Sequence, residues 1–114
     1  MHKGSCHCGQ IRYSIEGDFS DGLECNCSYC SRKGHLLWFV PRSALKLETP
    51  ASAMSTYKFN KHVIDHHFCA KCGCGTFGFA NAPDGQPMAA INIRCLEGVD
   101  VASVKRVPYD GRSV

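Results

Sequence analysis

Three cysteines fall within six residues in the stretch Cys25-Asn26-Cys27-Ser28-Tyr29-Cys30. Thiolates at this Cys-x-Cys-x-x-Cys spacing can reach one soft metal ion from a single turn of chain, and a zinc ion held by three sulfurs still takes a fourth ligand. The spacing therefore predicts a zinc site with one coordination position left to fill, and we expect chemistry there. The sequence offers no Ser/His/Asp triad, glycine-rich phosphate loop or closely spaced carboxylate pair as a rival site.

Two further cysteine pairs lie about sixty residues apart. Cys6 and Cys8 form a Cys-x-Cys pair, and Cys69 and Cys72 form a Cys-x-x-Cys pair. Each is half of a site, and a closed four-sulfur zinc site needs two halves. We therefore assign these four cysteines to a structural zinc that ties the first β unit to a central hairpin. The alternative is that they are core cysteines without a metal.

The sequence does not identify the fourth ligand of the central cluster Cys25, Cys27 and Cys30. A protein ligand would make the site purely structural, whereas a free position would favour a soft incoming thiol, because three thiolates weaken the power of zinc to acidify water. The second case favours activation of a substrate thiol over hydrolysis. Cys74 and Cys95 have apolar neighbours and are expected to be core thiols. The candidate fourth ligands are Cys74, Cys95, His35, His66 and His67.

The cysteine count also bears on the compartment. Nine cysteines in 114 residues would suit a disulfide scaffold, but the number is odd and most are spaced for a metal rather than for unstrained pairing. The N-terminal residues have no apolar run of the secretory type, and no stretch approaches the length of a membrane span. These features predict one domain, residues 1–114, in a reducing compartment, the cytoplasm.

The formal charge of +3 does not indicate nucleic-acid binding. Two bound zinc ions would add four positive charges and seven thiolates would remove seven, so the net charge would be about zero. The basic residues are also scattered along the chain. We predict no nucleic-acid partner and no membrane partner.

Period-two alternation of apolar residues predicts a mainly β fold with little helix. The central hairpin is expected to turn at Asn60-Lys61 and to deliver Cys69 to Gly73 to its tip. The expected strands cover residues 10–16, 23–24, 35–40, 45–48, 54–59, 63–68, 76–80, 88–94 and 103–107, and single helical turns are expected at 31–34 and 41–44.

Several motifs, taken together and in this order, resemble the glutathione-dependent formaldehyde-activating enzyme and centromere protein V family. The resemblance runs from about residue 4 to Gly111. It is carried by Gly4-Ser5-Cys6-His7-Cys8-Gly9, Cys25-Asn26-Cys27-Ser28-Tyr29-Cys30, His66-His67-Phe68-Cys69-Ala70-Lys71-Cys72-Gly73 and Asn92-Ile93-Arg94-Cys95-Leu96.

This resemblance implies a β-tent type domain, two small antiparallel sheets joined through a zinc site. It implies two zinc ions, a structural one at Cys6, Cys8, Cys69 and Cys72 and a more labile one at Cys25, Cys27 and Cys30. It also implies a carbon–sulfur lyase that acts on glutathione and formaldehyde to give S-hydroxymethylglutathione. Cys74 departs from the pattern, since many members carry an apolar residue there.

Two classes of function follow from the residues and the resemblance. The first is a zinc-dependent carbon–sulfur lyase or synthase for the adduct of a small-molecule thiol, such as glutathione, with a small aldehyde. In it, Arg32 and Lys33 would steer an anionic thiol to the zinc held by Cys25, Cys27 and Cys30. The second is a non-catalytic, zinc-stabilised binding module. A third reading, a thiol redox enzyme that uses Cys74 or Cys95, has no clear pair of catalytic and resolving cysteines.

Overall fold

The structure, a computed structural model, describes residues 1–59 and 64–111. These residues form ten strands and one short α-helix, α1 (Ser28–Lys33), together with four single 3-10 turns. The strands are β1 (His2–Ser5), β2 (Arg12–Ile15), β3 (Asp21–Cys25), β4 (Leu37–Pro41), β5 (Leu45–Leu47), β6 (Met54–Tyr57), β7 (Asp65–Cys69), β8 (Gly75–Asn81), β9 (Pro87–Asn92) and β10 (Lys105–Tyr109); the 3-10 turns are Arg42–Ala44, Ala51–Ala53, Ile93–Cys95 and Val101–Ser103.

The strands form two sheets. A three-stranded sheet has the order β1-β2-β5, and a seven-stranded sheet has the order β10-β3-β4-β9-β8-β7-β6. The mainly β prediction, with two sheets and little helix, is confirmed. One pair departs from the antiparallel pattern, because β10 runs parallel to β3. The two strands are far apart in sequence, so no hairpin fixes their relative direction.

The hydrophobic core lies between the two sheets. Tyr13 of β2 and Phe77 of β8 meet edge to face, with ring centroids 4.9 Å apart. Trp38 and Val40 of β4 are buried in this core, whereas Phe39, between them, is exposed. Alternation along β4 therefore turns one face of the large sheet towards the core and leaves the other free.

Most predicted strands are present, with differences at the ends of the chain and at the central hairpin. The strand β1 was not predicted, because its sequence His2-Lys3-Gly4-Ser5 has no apolar alternation. The turn Cys69 to Gly73 joins β7 to β8, so it lies at the tip of the next hairpin, not at the tip of β6 and β7. The predicted turn at Asn60-Lys61 lies outside the described residues.

The structure also bears on a membrane location. Within the part of the chain that it describes, no helix has the length and hydrophobicity needed to cross a bilayer.

Candidate metal centres and the adjoining cavity

Four cysteine sulfurs from the two sheets converge on one point. Cys6 and Cys8 lie in the turn between β1 and β2, whereas Cys69 ends β7 and Cys72 lies in the turn that follows it. All four sulfurs are within 4.8 Å of one another. The sulfur of Cys8 is 3.7 Å from that of Cys6 and 3.6 Å from that of Cys69. A tetrahedral zinc site with bonds of about 2.3 Å places its sulfurs about 3.8 Å apart, so this set fits zinc.

Backbone amides favour thiolates in this cluster. The amides of Lys71 and Cys72 each donate to the sulfur of Cys69 at 3.3 Å. Such donors lower the pKa of Cys69, and the backbone amides of Cys74 and Cys8 lower the pKa of Cys72 to about 5. The tight turn that presents these amides has Gly73 at a φ of 82°, a conformation that glycine adopts readily.

Not every sulfur of this cluster can be charged in the absence of a cation. The pKa of Cys8 is raised to about 11, although the backbone amide of Gln10 lowers it, because burial and the neighbouring sulfurs act in the opposite direction. A divalent ion would remove this conflict, since thiolates are the form in which cysteine binds metals. The chemistry of the donor set therefore fits a bound zinc ion.

The second cluster is built at the start of α1. Cys25 ends β3, Cys27 is the N-cap residue of the helix and Cys30 lies in its first turn. Their three sulfurs are within 4.8 Å of one another. The Cys30 amide donates to the Cys27 sulfur at 3.3 Å, and the Cys27 amide donates to the Cys25 sulfur at 3.5 Å.

The protonation of this triad is uneven. Burial disfavours the thiolate of Cys27, but hydrogen bonds from the Cys30 amide and from the neighbouring thiols outweigh it and lower the pKa of Cys27. Burial raises the pKa of Cys25 and of Cys30. The triad, like the first cluster, has a donor set that suits a soft cation such as zinc.

The described residues bring no fourth ligand atom into the triad. The group of atoms within 4.8 Å of one another contains Cys25, Cys27 and Cys30 and no other Cys, His, Asp or Glu from residues 1–59 and 64–111. Cys95 instead lies with its sulfur 3.8 Å from the Asn92 side-chain amide, and Cys74 packs against the core. The candidate histidines His35, His66 and His67 line a cavity beside the triad.

That cavity has a volume of about 660 Å³ and covers the free face of the seven-stranded sheet. Its size is in the range of small-molecule sites. The three cysteines of the triad are part of its lining, and most of the other lining residues are apolar or aromatic. A molecule in the cavity would therefore reach the sulfurs directly.

The histidines of the cavity are neutral at pH 7. Burial, assisted by Lys33 and His66, lowers the pKa of His35 to about 4. Burial also lowers the pKa of His66 and of His67. Each neutral imidazole can accept a proton at one ring nitrogen and donate one at the other.

The two basic residues expected to steer an anionic thiol do not line the cavity. The Arg32 side chain donates to the Ser28 carbonyl at 2.7 Å, and Lys33 donates to the Gly73 carbonyl at 3.4 Å. Both side chains thus bind backbone carbonyls rather than facing the triad. Among the described residues, no lysine or arginine is part of the cavity lining.

Sequence reasoning missed the residues that the C-terminal strand contributes. Tyr109 of β10 pairs with Cys25 of β3, and Gly111 lies directly against the Cys25 sulfur. Both line the cavity. No local pattern links residues so distant in sequence to the triad. Of the two neighbouring aromatic residues in β4, Phe39 lines the cavity, whereas Trp38 belongs to the core.

This chain is similar to known proteins in both sequence and fold. The family model described as glutathione-dependent formaldehyde-activating enzyme matches residues 1–106. A crystal structure of a protein from Rhodobacter sphaeroides is similar to this one, with a TM-score of 0.79 and 29% sequence identity. That match covers 92% of this chain and 99% of the other.

Proposed function

This chain belongs to the glutathione-dependent formaldehyde-activating enzyme family, and we propose that it is a zinc-dependent carbon–sulfur lyase or synthase. Its substrate would be the adduct of a thiol with a small aldehyde, of the S-hydroxymethylglutathione type. One observation carries the proposal. The triad Cys25, Cys27 and Cys30 gathers three sulfurs, gains no fourth ligand from the described residues, and lies in the wall of a cavity large enough for a substrate.

We assign one zinc ion to each cluster. Cys6, Cys8, Cys69 and Cys72 would hold a structural ion, and Cys25, Cys27 and Cys30 would hold the ion that serves the reaction. When bound to three sulfurs, zinc supplies a soft, electron-accepting position that suits a thiol sulfur. The amides that donate to Cys25 and Cys27 keep these ligands oriented and favour their charged form.

The reaction forms or breaks one carbon–sulfur bond. In synthesis the thiol loses its proton, the sulfur adds to the carbonyl carbon, and the carbonyl oxygen gains a proton; in the lyase direction these changes reverse. His35 and His66 line the cavity as neutral imidazoles and can accept and return that proton. The apolar walls limit the access of water, which would compete for the carbonyl.

The remaining assignments follow from this proposal. Residues 1–114 would act as one domain, whose partners are a small thiol, such as glutathione, and a small aldehyde. We place the protein in the cytoplasm, because a reducing compartment keeps the nine cysteines available as thiolates.

The substitution Cys27→Ser tests the proposal. We expect the enzyme-dependent interconversion of glutathione, formaldehyde and S-hydroxymethylglutathione, followed by NMR exchange spectroscopy, to fall to the spontaneous rate. Zinc content should decrease from two ions to one per chain, because only the triad loses a ligand. The loss should come without unfolding, because Cys27 is only half-buried at the start of a short helix.

The matched control is Cys95→Ser, which removes a thiol that belongs to neither cluster. This variant should keep both zinc ions and full activity. A fully active Cys27→Ser variant would contradict the proposal. A wild-type protein that holds two zinc ions and shows no thiol-dependent turnover would instead support a non-catalytic binding module.

A further inference from the structure

We propose that the cavity beside the triad binds an aromatic ring, so that the preferred substrate carries an aryl group next to the reacting sulfur or carbonyl carbon. This inference rests on the proposed function, because it concerns which thiol–aldehyde adduct the site takes. The inferred ring is a preference within the class of thiol–aldehyde adducts; S-hydroxymethylglutathione has no ring, because neither the tripeptide nor formaldehyde supplies one. Three features of the cavity carry it.

The first feature is a trough across the seven-stranded sheet. The strand register places Phe39 opposite Ala90, Ala90 opposite Gly78, and Gly78 opposite His66. These four residues form one row on the free face of β4, β9, β8 and β7. Phe39 and His66, at the two ends of the row, have ring side chains. Ala90 and Gly78, in the middle, have only a methyl group and a hydrogen atom. The row is therefore a flat floor between two ring-bearing walls.

The second feature is a cluster of rings that joins this floor to the triad. Tyr29 lies between Cys27 and Cys30 in sequence, and its ring centroid is 4.4 Å from that of His66. Phe59 lies 5.5 Å from Tyr29 and 5.3 Å from His66. Aromatic groups at these separations attract one another. A ring attached close to the reacting sulfur would extend this cluster.

The third feature is the exposed apolar surface around the cavity. Phe39, Tyr109 and Ile64 line it and retain 49%, 46% and 39% of their surface exposed. They are three of the five large apolar residues exposed in the described chain. A formaldehyde molecule, at roughly twice the volume of a water molecule of about 30 Å³, would leave this surface and most of the 660 Å³ unfilled. An aryl group would cover it.

The charge of the described cavity lining also favours an aryl group over a peptide thiol. Residues 1–59 and 64–111 contribute no lysine or arginine to the lining. Among these described residues, no ammonium or guanidinium group would pair with the carboxylates of a peptide thiol. The aryl group takes no part in the reaction. As before, the thiol sulfur loses a proton, the carbonyl oxygen gains one, and one carbon–sulfur bond forms.

Binding to the zinc-loaded protein tests the aromatic site directly. Benzyl mercaptan and 2-mercaptoethanol are thiols of similar acidity, and only the first carries a ring. By calorimetry, we expect benzyl mercaptan to bind about tenfold more tightly. Benzyl alcohol, which has the ring and no thiol, should give saturation-transfer NMR signals from its ring protons. Equal affinity of the two thiols and no benzyl alcohol signal would overturn the proposal.

A substitution that fills the floor separates the ring site from the triad. Ala90→Leu should weaken benzyl mercaptan and benzyl alcohol about tenfold and leave 2-mercaptoethanol and the zinc content unchanged. The control Ala102→Leu makes the same change at an exposed position outside the cavity and should change nothing. Phe39→Ala, which removes a wall instead of adding bulk, should reproduce the loss, whereas Phe39→Tyr should not. Unaltered ring binding in both Ala90→Leu and Phe39→Ala would overturn the proposal.

Turnover measurements show whether the thiol or the aldehyde carries the ring. They also separate a failure of the aryl site from a failure of the proposed lyase activity. One arm combines benzyl mercaptan with formaldehyde, and the other combines 2-mercaptoethanol with benzaldehyde. Acceleration in either arm above that of 2-mercaptoethanol with formaldehyde supports the aryl site and shows which partner carries the ring. Ring binding that depends on Ala90, without turnover in any arm, would refute the lyase and retain the site. Turnover with every pair at equal rates would refute the site and retain the lyase.

Discussion

Gly111 lies against the sulfur of Cys25, and its lack of a side chain is what allows this contact. A Cβ atom built at this position would overlap that sulfur and lie 3.3 Å from the Cβ of Cys27. The neighbouring backbone is held in place, because the Asn26 amide donates to the Tyr109 carbonyl at 3.1 Å. The residue therefore limits the space on one side of the triad.

We predict that Gly111→Ala impairs metal binding by the triad alone. The added methyl group must displace Cys25 or the end of β10. The three sulfurs would then no longer lie close enough together to bind one ion. Zinc content measured by mass spectrometry under native conditions should decrease from two ions to one per chain. The melting temperature should change by only a few degrees, as expected for about 1 kcal/mol in a domain of this size. Retention of both zinc ions would contradict this account of Gly111.

The helix α1 is short, with a triad cysteine as its N-cap residue and a glycine as its C-cap residue. Cys27 caps its start with a sulfur, where most helices use an oxygen. Gly34 caps its end at a φ of 70°, with its amide bonded to the Cys30 carbonyl at 2.9 Å. The helix thus holds two of the three triad sulfurs between its caps.

The substitution Gly34→Ala should destabilise the protein by about 1 kcal/mol, because an L side chain is disfavoured in the left-handed region. Apart from Gly34 itself and the residues next to it in the chain, no described residue has an atom within 4 Å of the added Cβ, so the cost is conformational rather than steric. Urea unfolding of the zinc-loaded protein measures it. Gly34→Asn is the matched control and should cost less, because asparagine tolerates this conformation better. If both variants lost the same free energy of unfolding, the left-handed backbone conformation of Gly34 would not be the cause.

Local pattern predicted the elements that hold the cysteines, and it failed where contacts are distant. Alternation over residues 10–16 predicted β2, the apolar run over residues 35–40 predicted β4, and Gly34 predicted the end of the helical turn. The strand β10 was expected to end before Pro108, yet it continues to Tyr109. Proline is tolerated there because β10 is at the edge of the sheet. Its parallel pairing with β3, and hence the place of Gly111 in the site, depends on tertiary packing that spacing does not encode.

At the scale of the whole molecule, the two clusters differ in what they connect. The four-cysteine cluster joins the β1–β2 turn of one sheet to the β7–β8 turn of the other. Cys6 and Cys69 are buried there. The triad lies within the seven-stranded sheet and its helix, beside the cavity. Zinc at a closed thiolate site contributes on the order of 10 kcal/mol, comparable to the stability of a whole domain. The first cluster should therefore support the fold, and the triad should not.

Removal of metal with increasing chelator should accordingly occur in two separate steps. The triad should lose zinc first, because it has three sulfurs and adjoins a cavity, while two ligands of the other cluster are buried. The single tryptophan, Trp38, lies in the core between the sheets and reports on the second step. Its emission should stay constant as the first zinc is released to a colorimetric indicator and shift to the red as the second is released. Cys27→Ser should show the second step only. A single release in the wild-type protein, accompanied throughout by the tryptophan shift, would mean that both clusters support the fold.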